Sequence, residues 1–241
     1  MFQFLRKGIQ KDQQLVTEVV RVNQNINIDF GGGCSIEKAL VMSYLIKEFS
    51  IKTSVDIGVY RGRSFFPQAV AHKLYSKGKV YGIDPYSAVA AVQNDRTDIQ
   101  NQLKKFVAET DFEQLFLDVI EKINTESMVD FSEIIRKKSS EAKEWFLENG
   151  IKIGLVHIDG NHDTAFVMED VLNYLPLLDE KAFIVLDDIS WSSVKPAMEY
   201  LNKHANYVGK LVNKMNDFAL FAKGYSKEEI NYIKSVFSAV K

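Results

Sequence analysis

Three aspartates and a histidine carry the chemistry most plainly written in this sequence: Asp159 and His162, then Asp187 and Asp188. Each acidic position follows a short apolar run, Ile153-Gly154-Leu155-Val156-His157-Ile158 for the first and Phe183-Ile184-Val185-Leu186 for the pair. Continuous apolar runs of this kind suit strands covered on both faces. Parallel neighbours end on one edge of a sheet, so the three carboxylates are expected to meet there. Carboxylates drawn together raise one another's pKa unless a positive charge sits among them. An oxygen-rich set with no cysteine suits a hard divalent cation, Mg²⁺ ahead of Mn²⁺ or Ca²⁺. The competing role for each is a helix N-cap after its strand, which Asp188 with Ser190 could also serve. His162, three residues after Asp159, is placed to be a base, an extra ligand or a hydrogen-bond partner. His157 lies within its run and reads as a core histidine.

A second constellation is Ser54-Val55-Asp56-Ile57-Gly58-Val59-Tyr60-Arg61-Gly62-Arg63-Ser64. An apolar lead-in ends at Gly58, Gly62 follows four residues later, and Ser64 has the composition of an N-cap. The helical pattern Phe65 to Ala71 comes next, with Pro67 tolerated in its first turn. A strand, a tight glycine turn and a helix start let backbone N–H groups face a ligand. The next strand, Lys79 to Asp84, ends in a carboxylate able to accept hydrogen bonds from the vicinal hydroxyls of a ribose. Together these signals read as a nucleoside-cofactor site, against a turn-permitting glycine pair and a capping Asp84. The spacing departs from Gly-x-Gly-x-x-Gly, which points away from a nicotinamide or flavin dehydrogenase.

Composition bounds the rest. A chain of 241 residues, 46% hydrophobic and 26% charged, can bury one large core. A net charge of −2 with scattered cations gives no footprint for nucleic acid. The short basic run Arg136-Lys137-Lys138 reads as a solvated strand end. Cys34 is the single cysteine, which excludes an internal disulfide and fits a reducing compartment; a small buried residue is its expected role. The start lacks the apolar core of a signal peptide, and no apolar run approaches ~18 residues. A cytoplasmic protein without membrane contact is expected.

The elements that must position these residues follow from periodicity. Residues 12–23 and a helix capped by Ser35 precede the first strand, separated by Gly31-Gly32-Gly33. This segment, 1–50, could pack beside the sheet or fold over the cofactor as a lid. A catalytic domain over 51–225 carries a helical insertion at 86–130, in which Asp111 caps a clean apolar stripe from Phe112 to Ile123. Strands are expected at Phe131–Ile135, Ile153–Ile158, Ala182–Leu186, Tyr207–Val212 and Phe218–Ala222, and helices at 140–149, 163–175 and 193–204. The last two strands are joined too tightly for a parallel crossover and must form an antiparallel hairpin. Ser226 and Glu229 make a capping box for a final helix in 226–241. The expected fold is α/β: a doubly wound, seven-stranded, mostly parallel Rossmann-like sheet with an antiparallel C-terminal hairpin strand.

Val55-Asp56-Ile57-Gly58-Val59-Tyr60-Arg61-Gly62 resembles the first motif of class I S-adenosylmethionine-dependent methyltransferases. The runs VYGIDPY and VHIDGNHDTAFVMEDVLNYLPLLDEKAFIVLDDISW resemble, more narrowly, the branch with the macrolide-sugar and aminocoumarin O-methyltransferases. The resemblance implies S-adenosyl-L-methionine as cofactor, its ribose on Asp84 and its methionine moiety near Gly58. Cofactor contacts are then expected among Asp56, Gly58, Tyr60, Gly62, Ser64, Asp84, Ser139 and Asp159. It also implies a metal held by Asp159, Asp187 and Asp188, with Mg²⁺ favoured, and His162 or Asp159 as proton acceptor. Catechol-type relatives place a lysine base where this chain has His162. Where the family usually has a Gly-Asp-Ser-like run, this chain has Lys137-Lys138-Ser139, so only Ser139 is carried over to the adenine side. The implied partner is a small-molecule hydroxyl acceptor, a sugar or a catechol-like diol; a homo-oligomer is left open. Trp191, Tyr86 and Tyr60 are candidate walls. A metal-dependent phosphoester hydrolase and a non-catalytic nucleoside-binding protein are the rival readings.

Overall fold

The computed structural model describes residues 12–29, 33–95, 97–212 and 217–240. Gly31, Gly32 and most of the expected hairpin loop lie outside the described residues. Among those described, the chain forms one 7-stranded sheet in the order β3-β2-β1-β4-β5-β7-β6. The strands are β1 (Thr53–Ile57), β2 (Lys79–Ile83), β3 (Ser132–Ile135), β4 (Ile153–Ile158), β5 (Leu178–Asp187), β6 (Asn206–Val212) and β7 (Asp217–Lys223). β1 pairs in parallel with β2 and β4, β2 with β3, and β4 with β5; β7 runs antiparallel between β5 and β6. The order reverses between β1 and β4, and the cleft at that switch is where ligands of such sheets bind.

The helices are α1 (Gln13–Gln24), α2 (Ile36–Glu48), α3 (Phe65–Ala71), α4 (Gln100–Glu109), α5 (Phe112–Thr125), α6 (Ser139–Glu148), α7 (Thr164–Tyr174), α8 (Lys195–His204) and α9 (Lys227–Val240). Strand alternation sends side chains to both faces. On β5, Phe183 and Val185 join one core, with Leu15 of α1, Leu45 of α2, Val119 of α5 and Ile233 of α9. Ala182, Ile184 and Leu186 join the other, with Phe146 of α6, Val171 of α7 and Leu201 of α8. The N-terminal helices pack against the first of these cores: Leu15, Val19 and Val22 of α1 are buried. The Ser35, Asp111 and Ser226–Glu229 caps form as the sequence suggests. No helix of the described residues is long and apolar enough to cross a membrane.

Two expectations change. Strand β5 starts at Leu178, before the apolar run, because its first residues extend along the edge of β4. Ser64 makes no cap hydrogen bond: its backbone is already helical, and its hydroxyl donates instead to Asp56 Oδ2 at 2.8 Å.

Candidate functional site

The C-terminal ends of β1, β2 and β4 open onto a cavity of about 470 Å³. Gly58, Tyr60, Asp84, Ser139, Asp159, His162 and Asp188 all line it, so most of the residues singled out in the sequence share one space. The segment after β2 covers it, tied down by Asp163, whose carboxylate accepts from the Asn94 and Asp95 backbone N–H groups at 2.7–2.9 Å. Leu103 and Phe106 of α4 and Phe112 at the start of α5 add an apolar wall, while Leu115, Val119 and Ile123 of α5 enter the core. The helical insertion thus serves both as a cavity wall and as core cover. Trp191 and Tyr60 line the cavity; Tyr86 is buried beneath, donating its hydroxyl to the Tyr60 carbonyl at 3.1 Å.

The glycine turn is shaped by close approach. Gly58 has φ +88°, and a β-carbon there would overlap the Asp159 backbone carbonyl. That clash fixes how near β1 and β4 can bring their ends. Asp84 sits across the turn and is held from below: Tyr60 N–H donates to Oδ2 at 2.9 Å and Tyr86 N–H to Oδ1 at 2.7 Å. Tyr60 and Tyr86 hold left-handed φ of 49° and 47°, strained values for such side chains. Burial raises the Asp84 carboxyl above its ordinary range, while those backbone donors oppose the shift. Each of its oxygens keeps a lone pair able to receive a hydroxyl.

Asp56, Gly62 and Ser64 are not among the residues lining the cavity. Asp56 is fully buried under the turn, 2.5 Å from His157 Nδ1 and joined to Ser64. Gly62 packs against the Phe66 ring, which a β-carbon would strike. In the structure these three build the turn.

At the acidic edge Asp159 is the shared member of two clusters. On the cavity side, Asp159, His162 and Asp188 each offer a ligand atom within 4.8 Å of the others. His162 Nε2 stands 2.6 Å from Asp188 Oδ2 and 3.4 Å from Asp159 Oδ1, its ring 4.8 Å from that of Trp191. Burial works against charge on His162, but Asp188 and Asp159 outweigh it and raise the imidazole to about 10. Two carboxylates and an imidazole suit a divalent ion once that imidazole loses its proton.

On the inner side lies a residue that sequence reasoning missed. Lys38 of α2 is fully buried, and its Nζ reaches Asp187 Oδ2, with Asp159 Oδ2 at 3.4 Å and the Gly33 carbonyl at 3.3 Å. Burial would lower the Lys38 ammonium, but Asp187 and Asp159 hold it well above its ordinary value. Burial also pushes on Asp159, yet Lys38 and His162 keep its carboxyl far below the usual range. Asp187, deeper and beside the Asp159 charge, is pushed up. The three aspartates therefore converge, but Asp187 faces Lys38 instead of joining Asp159 and Asp188 as a single ligand set. A signal existed: Lys38 falls in register with Val41, Met42 and Leu45 on the buried stripe of α2. Asp170 was missed in the same way. It lines the cavity near Ser139, is 3% exposed, and has no partner for Oδ1.

A family model described as a methyltransferase domain matches residues 55–189, which run from the glycine turn through the acidic pair. The chain belongs to this methyltransferase family. No curated protein sequence matches the chain. The methyltransferase shares its fold with an O-methyltransferase from Bacillus cereus in complex with SAH, at 14% identity and TM-score 0.57, covering 91% of this chain and 94% of that one. TomG from Streptomyces achromogenes, an O-methyltransferase of tomaymycin synthesis bound to SAM, is similar at 13% identity and TM-score 0.59, covering 88% and 90%. CalS11, a calicheamicin methyltransferase, is similar at 16% identity and TM-score 0.57, covering 89% and 93%. The sheet order with its antiparallel β7 is that of the class I methyltransferase fold.

Proposed function

We propose that this methyltransferase moves the methyl group of S-adenosyl-L-methionine to a hydroxyl oxygen of a small molecule, a sugar being one candidate class. The observation that carries the reading is the pairing, across one cavity, of the Gly58–Asp84 turn with the Asp159–His162–Asp188 cluster. A ribose on Asp84 leaves the cofactor two directions, towards Ser139 and Asp170 or towards the acidic cluster. Proton removal from the acceptor is needed beside the sulfonium, so the reactive end takes the second and the purine the first. The apolar wall of Leu103, Phe106 and Phe112 lowers the local dielectric along the space between, which strengthens charge interactions there.

The chemistry asks for a base and for charge stabilisation of an oxyanion. A His162 that has lost its proton, or Asp159, would take the acceptor proton; where the imidazole Nε2 holds an ion, that role falls to Asp159. Asp159, Asp188 and His162 would also hold Mg²⁺, which when bound supplies positive charge to an acceptor oxygen and lowers its pKa. Positioning of the oxygen in line with the methyl carbon contributes further, up to about 7–11 kcal/mol in favourable systems. The calicheamicin and tomaymycin enzymes, whose names tie them to small molecules, are consistent with such an acceptor. A screen of hydroxyl compounds with isotopically labelled S-adenosylmethionine, read by mass spectrometry, tests the proposal. Label on an oxygen of any acceptor supports it; label found only on nitrogen, carbon or sulfur contradicts it.

A further inference from the structure

Lys38 has three ammonium protons and three acceptors, Asp187 Oδ2, Asp159 Oδ2 and the Gly33 carbonyl, and its side chain is wholly enclosed. A buried ammonium with every proton used is a fixed cation, expensive to desolvate and held only because two carboxylates surround it. Beside it, His157 Nε2 is buried without a hydrogen-bond partner, 3.8 Å from Asp159 Oδ2 and 4.0 Å from Asp187 Oδ2. Asp187 Oδ1 is likewise buried and unpartnered. His157, Asp159 and Asp187 offer ligand atoms within 4.8 Å of one another, the dimensions of a second cation position.

We infer that Lys38 is the resident cation of this inner position, a positioning residue that replaces a metal ion there. Asp187 is then not a metal ligand, and a positive charge already stands between Asp187 and Asp159 before any ion arrives. Any divalent ion is confined to the cavity side, on Asp159, His162 and Asp188. Lys38 also fixes which oxygen of Asp159 faces the cavity, because Oδ2 is engaged from behind and Oδ1 is left for His162. The inference rests on the proposed function only for the use of that outer cluster; the inner position is a property of the fold.

Removing the ammonium should turn the inner position into a metal site of two carboxylates and an imidazole, a donor set that Mn²⁺ accepts. In the unsubstituted protein the rise in melting temperature from chelator to millimolar Mn²⁺ comes from the outer cluster alone and is the baseline. Lys38→Ala should melt several degrees lower in chelator and gain more in millimolar Mn²⁺ than that baseline, by at least half of the loss. Adding Asp187→Asn should abolish the excess, which a merely structural lysine would not predict. Should Lys38→Ala not fold, calorimetric Mn²⁺ titration of single variants decides. Asp188→Asn should lose affinity at least tenfold and Asp187→Asn less than threefold. Equal losses in the two, or a Lys38→Ala gain in Mn²⁺ no larger than the baseline, would overturn the inference. Failure of S-adenosylhomocysteine to bind the unsubstituted protein would instead count against the proposed function, and leaves the melting comparison standing.

Discussion

His162 Nε2 lies 2.6 Å from Asp188 Oδ2, an imidazolium–carboxylate contact at the mouth of the acidic edge. Because the folded protein raises this imidazole to about 10 from 6.5, the pair stabilises the fold fully below about pH 6.5. That contribution is lost as pH rises through 10. His162→Gln should flatten the fall in melting temperature between pH 7 and pH 10, by a few degrees. An unchanged profile would mean that Asp188 does not sense the ring.

The same pair sets a linkage with metal. A ligand imidazole must be neutral, so a divalent ion on the outer cluster must expel the His162 proton. Calorimetric titration of Mg²⁺ at pH 7.5, repeated in buffers of different ionisation enthalpy, should report release of about one proton. Binding without proton release would place the ion elsewhere.

Asp170 sits on α7 among Val167, Val171 and Tyr174, and burial raises its carboxyl from 3.8 to about 7. A carboxyl raised in the folded state binds protons that the unfolded chain releases. Stability should therefore fall as pH rises from about 4 to about 7, and then level. Asp170→Asn should melt several degrees higher than the parent at pH 8 and within a degree or so of it at pH 4.5. A parent-like melting temperature at pH 8 would show that Oδ1 is not a cost.

Gly58→Ala brings a β-carbon onto the Asp159 carbonyl while holding φ at +88°. Backbone atoms cannot yield as a side chain would, so the loss should be roughly 3 kcal/mol or more. Denaturant unfolding measures it; a change below 1 kcal/mol would mean that the β1 and β4 ends separate easily.

Much of this site was legible because strand ends announce themselves. The apolar runs before Asp84, Asp159 and Asp187 fix where each strand stops, and parallel strands stop on one edge. The glycine turn was legible because only glycine tolerates the approach at Gly58. What could not be read was how the carboxylates divide their partners. Lys38 precedes Asp187 by most of the chain, and its place on the α2 stripe gives no sign of which charge it meets. Asp56 and Ser64 look like motif residues meeting a ligand, yet strand pleat and an early helix start turn them inward to each other. Nor does the pattern reveal that Asp163 anchors the segment over the cavity, since that contact spans about 70 residues.

Asp84 bears on the central claim, cofactor binding, more directly than any other residue. Titration of S-adenosylhomocysteine into the protein and into Asp84→Ala, followed by calorimetry beside a titration of NAD, is the decisive measurement. The account predicts one-to-one binding of S-adenosylhomocysteine, no binding of NAD, and at least tenfold weaker binding by the variant, about 1.4 kcal/mol. A modest drop in the variant's melting temperature is expected too, because the Tyr60 and Tyr86 N–H groups lose their acceptor. Binding of NAD without S-adenosylhomocysteine, or equal affinity in Asp84→Ala, would contradict it.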